Sequence, residues 1–185
     1  MHRIPSALAV MLALLLAPLQ VRSAEVSTAS NIPKVLKSAI DQYYPGTTII
    51  DRQDLSEECR LEKVDVKFPG LVSADFNGDR IPDYSVVLKH MKPRRHPSWG
   101  TIHDYRVVAF LGTPNGQFKA FPLWEYESDD KSAWYMIEHR QKALADSATG
   151  MTIPLKFPAI GLIRCGGGSA GYYWNGNGFS LAGGT

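Results

Sequence analysis

Residues 75–88 read DFNGDRIPDYSVVL, an oxygen-rich loop that leads directly into an apolar, β-branched segment. Oxygen-bearing side chains stand at positions one, three, five and nine of this loop: Asp75, Asn77, Asp79 and Asp83. The segment Tyr84–Lys89 has the β-branched and aromatic content of a strand. The sequence therefore predicts a short, curled polar loop immediately before a strand of a sheet.

The spacing of these oxygens is typical of a calcium site. Calcium prefers six to eight oxygen ligands at about 2.3–2.6 Å, and alternate residues of a tight loop turn towards one centre. The backbone carbonyl of Ile81 would supply a further ligand at position seven. The alternative is a hairpin turn at Asn77-Gly78, in which the aspartates only face water. We expect the ion to fix the loop rather than to perform chemistry.

This loop resembles the calcium loops of FG-GAP/VCBS-type repeats, in which an Asp-x-Asn-x-Asp core ends in a further Asp, and more distantly those of dockerins and EF-hands. The resemblance includes the strand Tyr84–Leu88 after the loop, and it implies one calcium-loop module placed between strands. Two positions depart from the related patterns. Val86 stands where an EF-hand has a bidentate Glu, and Arg80 stands where glycine usually allows a sharp turn. A positive φ at Arg80 would cost about 1 kcal/mol.

The N-terminus predicts a secretory signal peptide over residues 1–23. Basic residues precede an apolar run from Ala7 to Leu19, which is interrupted by proline and is shorter than the roughly 20 residues of a membrane span. We expect cleavage after Ser23, a flexible segment over 24–30 and one globular domain over 31–185. The domain is expected in the periplasm or medium, with no membrane insertion after removal of the signal.

The charge balance argues against a nucleic-acid partner. Loss of Arg3 and Arg22 with the signal peptide leaves as many basic residues as acidic ones, of which there are 18. A neutral domain lacks the electrostatic footprint that binding to a phosphate backbone requires.

Two cysteines, Cys59 and Cys165, remain after removal of the signal peptide. An even number of cysteines in an exported protein predicts a disulfide, and closing a loop of this length is worth about 4–5 kcal/mol on the chain-entropy model. The alternative is a pair of free thiols with a redox role, although the two do not form a C-x-x-C motif.

The periodicity of apolar residues predicts an amphipathic helix over Asn31–Tyr44 and a second helix over Ser132–Ala145. Segments rich in β-branched and aromatic residues predict strands at Thr47–Ile50, Lys63–Phe68, Tyr84–Lys89, Tyr105–Leu111, Phe118–Leu123, Ile160–Arg164 and Gly171–Trp174. Turns at Thr113–Gly116 and Asn175–Gly178 join strands into hairpins. The expected fold class is α+β, with the N-terminal helix packed on a mainly antiparallel β-sheet with hairpins.

Three weaker patterns remain. Acidic residues lie beside aromatic ones at Glu125, Glu127, Asp129 and Asp130, as a glycosidase would need, and an acidic surface loop is the alternative. Metal ligation is open to four histidines, which are His90, His96, His103 and His139, although none are at the usual zinc spacing. The basic segment Lys89–His96, followed by Trp99, is either a solvated loop or a contact for an anionic partner.

The expected function is an exported, non-enzymatic binding or structural module that is stabilised by one calcium ion and one disulfide. Its partner would be a protein or glycan of the cell envelope, and an inhibitor of a cell-wall hydrolase is one specific form. The alternative is a small periplasmic hydrolase acting on glycan or peptide.

Overall fold

A computed structural model describes residues 32–61, 69–128, 133, 135–140, 143–146 and 149–183. The predicted signal peptide 1–23, the segment 24–30 and the predicted strand Lys63–Phe68 lie outside the described residues. Within the described ranges, no helix has the length and apolar character needed to cross a membrane.

The described residues contain two α-helices, α1 (Lys34–Tyr43) and α2 (Glu57–Leu61), and one 3₁₀ turn at Arg52–Asp54. The strands are β1 (Thr47–Ile49), β2 (Leu71–Ala74), β3 (Asp83–His90), β4 (Arg94–His96), β5 (Gly100–Gly112), β6 (Phe118–Ser128), β7 (Tyr135–Arg140), β8 (Ala143–Asp146), β9 (Met151–Pro154), β10 (Ala159–Arg164), β11 (Ser169–Trp174) and β12 (Phe179–Ala182).

The strands form two main sheets and one small hairpin, and every pairing between them is antiparallel. In the first sheet β3 pairs with β1, β2 and β5, and β5 also pairs with β4 and β6. The second sheet has the order β12, β11, β10, β7, and β8 pairs with β9. Both predicted turns are present: Gly116 has φ of 76° in the β5–β6 turn, and Gly176 has φ of 106° between β11 and β12.

The main hydrophobic core lies between the two sheets. Its first-sheet side includes Val87 and Val107, and its second-sheet side includes Ile137, Ile160 and Leu162. Antiparallel sheets that face each other in this way bury alternate side chains of each strand.

Helix α1 covers the outer face of the first sheet. Leu36 and Ile40 are buried against Val86, Leu88 and other residues of β3 and β5. Strand β3 therefore has apolar neighbours on both faces, which explains why its sequence is a continuous apolar run instead of an alternating one.

The predicted α+β class is wrong. Strands contain 53% of the described residues, and the fold is a largely antiparallel β structure to which the helices contribute little. The sequence pattern emphasised the N-terminal helix, which is present, and did not indicate several short strands. Strands β2, β4, β8 and β9 each have only three or four residues, which is too short for a periodicity of two to be evident.

The second predicted helix, over Ser132–Ala145, is also wrong, because this region contains β7 and β8. Glu138 and Arg140 form an ion pair of 2.8 Å, and residues two apart share a face on a strand. Ile137, which directly precedes Glu138 and so faces the other side of the strand, is buried in the core. Pairing of β7 with β10 satisfies the backbone here, so tertiary context overrides the local helical pattern.

The predicted disulfide is present. Cys59 in α2 and Cys165 after β10 are joined with a Cα–Cα distance of 4.9 Å, and both are buried. The bond attaches α2 to the second sheet and closes a sequence separation of 106 residues. A disulfide of this kind indicates an oxidising environment outside the cytoplasm.

Candidate calcium loop and neighbouring surfaces

The loop 75–83 connects β2 to β3, and the pairing of Ala74 with Asp83 brings its two ends together. Its first carboxylate organises the curl of the backbone. Asp75 Oδ1 accepts a hydrogen bond from the Gly78 N–H at 2.7 Å, and Asp75 Oδ2 accepts one from the Arg80 N–H at 2.9 Å. The loop is therefore folded around its own oxygen side chains.

The side chains of Asn77 and Asp79 likewise accept hydrogen bonds from backbone N–H groups further along the loop. Asn77 Oδ1 accepts from the Asp79 N–H at 3.0 Å, and its amide group donates to Asp79 Oδ2 at 2.9 Å. Asp79 Oδ1 accepts from the Ile81 N–H at 2.8 Å. These side chains lie at the partly exposed end of the loop.

Asp83 lies at the closed end of the loop, and its exposed fraction is 0%. Its two oxygens accept hydrogen bonds from the Phe76 N–H at 2.8 Å and the Gly112 N–H at 2.9 Å. Burial raises the pKa of Asp83 from 3.8 to about 7, against the effect of these two hydrogen bonds, and the charges of Asp79 and Asp75 raise it further. Three carboxylates of the loop are thus close enough to repel one another.

Two loop residues have positive φ, namely Gly78 at 81° and Arg80 at 68°. Arg80 therefore adopts the conformation for which glycine is usual, and the strain expected from the sequence is present. Gly78 is also approached by the ring of Phe157, since a Cβ at Gly78 would lie 2.0 Å from Phe157 Cε1. The segment before β10 thus packs directly against the loop.

The donor set fits a hard cation. It consists of carboxylate and amide oxygens, and each carboxylate oxygen that accepts one N–H retains a second lone pair. The ion pairs found in the described part of the chain include none of Asp75, Asp79 and Asp83. A bound calcium ion would be held by these residues with Asn77 and the Ile81 carbonyl, and it would supply the positive charge that offsets their repulsion.

Within the described ranges, no group of three or more His, Cys, Asp or Glu side chains is arranged closely enough to hold a metal ion. Of the histidines considered as ligands, His90 and His96 stabilise local turns. His90 Nδ1 accepts from the Lys92 N–H at 3.2 Å, and His96 Nδ1 accepts from the Ser98 N–H at 3.2 Å. His103 is buried in β5, away from the surface.

Only two of the four acidic residues considered for a hydrolase lie within the described part of the chain. Glu125 and Glu127 lie on β6, whereas Asp129 and Asp130 lie outside the described residues. Glu125 pairs with Arg106 at 3.1 Å, and Glu127 pairs with Arg94. Arg94 also contacts Asp104 at 3.0 Å. These carboxylates thus cross-link neighbouring strands, and a groove of about 300 Å³ lies beside them.

Sequence reasoning missed two residues that shape the calcium loop. Gly112 lies 29 residues from Asp83 and donates to it, and Phe157, in the segment before β10, contacts Gly78. No local pattern could have indicated either contact, because the first depends on the pairing of β3 with β5 and the second on how the segment before β10 packs against the loop. No family model matches the chain, and no curated protein or solved structure is significantly similar to it.

Proposed function

We propose that this chain is an exported, non-enzymatic binding or structural module of the periplasm or medium, stabilised by one calcium ion and one disulfide. The calcium ligands are Asp75, Asn77, Asp79 and Asp83 through side chains and Ile81 through its carbonyl. The partner is a protein or glycan of the cell envelope, and inhibition of a cell-wall hydrolase is one specific form of this function.

The observation that carries the proposal is the position of Asp83. A carboxylate that is fully buried beside two others is costly in a folded protein unless a cation or a proton offsets its charge. A calcium ion held by the loop would remove this cost in the folded state only, so that binding is linked to folding.

The disulfide supports the same interpretation independently. It closes a long segment and attaches α2 to the second sheet, while the loop joins two strands of the first sheet. One covalent and one ionic constraint suit a module that keeps its shape outside the cell, where calcium modules bind with dissociation constants of about 0.1–1 mM.

Isothermal titration of the chelator-treated protein with calcium tests this proposal. We expect one site with a dissociation constant of about 0.1–1 mM, which is the range of extracellular calcium modules. Asp79→Ala should abolish the binding isotherm, whereas Asp41→Ala, an exposed residue of α1, should leave it unchanged. If the wild-type protein gives no binding heat and no conformational change with calcium, the proposal that the loop binds calcium is wrong.

A further inference from the structure

The first sheet ends in a two-stranded extension formed by residues 91–102, which we name the basic ribbon. Its strands pair Arg94 with Ile102 and His96 with Gly100. The last described residue of β6, Ser128, pairs with His103, so the basic ribbon extends three residue pairs further. At about 3.4 Å per residue it projects roughly 10 Å beyond this point.

The basic ribbon contains no acidic residue, and it carries an excess of positive charge. Arg94 is held by Asp104 and Glu127. Lys92 and Arg95 are exposed, and neither takes part in the ion pairs found among the described residues. As far as the described residues show, these two cations are available to a partner.

The same ribbon exposes two large apolar side chains. Met91 at its base is 64% exposed, and Trp99 at its tip is 61% exposed. The Trp99 ring stacks on His96 with centroids 4.4 Å apart, and His96 Nδ1 accepts from the Trp99 N–H at 3.3 Å. Because the tip is already ordered, little conformational entropy would be lost when a partner binds it.

The distribution of these groups favours a concave partner over a flat one. Paired residues share a face of a ribbon and neighbours along a strand alternate, so Arg95 lies on the face opposite to Arg94 and His96. Apolar side chains stand at both the base and the tip. Ile102 at the base is fully buried, so the accessible part is the outer end of the ribbon. A flat surface would contact one face or the tip of this part alone, whereas a cleft would contact both of its faces.

We propose that the basic ribbon inserts into the acidic, apolar-walled substrate cleft of a glycan-cleaving hydrolase. Such enzymes place two carboxylates about 5–9.5 Å apart in the cleft that holds the sugar, which complements Lys92 and Arg95. Exposed Trp and Arg are the residue types that dominate binding energy at protein interfaces. This inference rests on the inhibitor form of the proposed function, and it identifies the contact surface.

Lysozyme and a peptidoglycan-hydrolysing glucosaminidase serve as probes, with hydrolysis of peptidoglycan and a binding titration as the two measurements. The calcium-loaded wild-type protein should bind at least one probe and inhibit it in competition with substrate. Trp99→Ala and Arg95→Glu should each weaken the dissociation constant by about 30-fold or more. Two matched controls, Met151→Ala and Lys37→Glu, change exposed residues outside the ribbon and should alter it by less than about 3-fold.

Circular dichroism melting of each variant establishes that the fold is retained, as expected for exposed positions. Inhibition that persists in Trp99→Ala and Arg95→Glu would overturn the role of the ribbon and leave the inhibitor function standing. Failure of the wild type to bind either probe would overturn both the role of the ribbon and the inhibitor function. The calcium titration would still test, separately, whether the protein is a calcium-stabilised module. Trp99-dependent binding to vesicles of anionic phospholipid, without binding to either hydrolase, would assign the ribbon to a membrane surface and contradict the proposal.

Discussion

Asp83 is the residue on which the loop depends, because its two oxygens accept hydrogen bonds from two backbone N–H groups and its side chain is fully buried. Asp83→Ala leaves the Phe76 and Gly112 N–H groups without these acceptors. The loss of both bonds should lower the free energy of unfolding by about 2–5 kcal/mol even without calcium. Urea denaturation in chelator measures it. Asp41→Ala, exposed on α1, is the control, and an equal, small loss in both variants would contradict this role of Asp83.

The titration of Asp83 predicts a pH dependence of the calcium-free protein. Its pKa is about 7 in the folded state against 3.8 as the ordinary value, so the folded state binds the proton more tightly. Its contribution to stability is full below the unfolded pKa and is lost as the pH rises through about 7. The unfolding free energy of wild type relative to Asp83→Asn should rise by at most about 1.4 kcal/mol per pH unit on acidification from about pH 7 to pH 4. A difference that does not change with pH would place the titration elsewhere.

At this scale the sequence could predict the oxygen side chains of the loop, because their spacing is local. It could also identify Arg80 as the position of strain. The burial of Asp83 and its bond to Gly112 could not be predicted, since they require the end of β5 to lie against the loop.

Helix α1 is the element whose packing is most easily tested. Leu36 is fully buried against the outer face of the first sheet, whereas Val35, its neighbour in sequence, is 56% exposed. Leu36→Ala should therefore lower the unfolding free energy by about 2–5 kcal/mol, and Val35→Ala should change it by less than about 0.5 kcal/mol. Chemical denaturation compares the two. Similar small losses would show that α1 does not pack on the sheet in solution.

The elements also show where local patterns are sufficient. The apolar face of α1, with Leu36, Ala39 and Ile40, repeats at helical spacing and is evident in the sequence. The region of β7 has apolar and charged residues that fit a helix equally well, and only pairing with β10 selects the strand. Element type is thus predictable where the pattern is long, and it depends on tertiary contacts where the pattern is short.

Across the whole molecule, the disulfide between Cys59 and Cys165 constrains the unfolded chain over 106 residues. Replacing both cysteines by alanine should lower the unfolding free energy by about 4–5 kcal/mol on the chain-entropy model. Denaturant titration measures the loss, and thiol titration of the denatured, unreduced wild type should find no free thiol. Two reactive thiols in the wild type would contradict the pairing.

The most direct test of the central claim is the melting temperature of the wild-type protein in calcium and in chelator. With a dissociation constant of about 0.1–1 mM, addition of 1 mM calcium should add about 0.4–1.4 kcal/mol by mass action. This corresponds to a rise of about 1–5 °C for a domain of this size. Asp79→Ala should abolish the rise and Asp41→Ala should preserve it. A wild-type melting temperature that is the same in calcium and in chelator would contradict the claim that this loop holds a calcium ion that stabilises the fold.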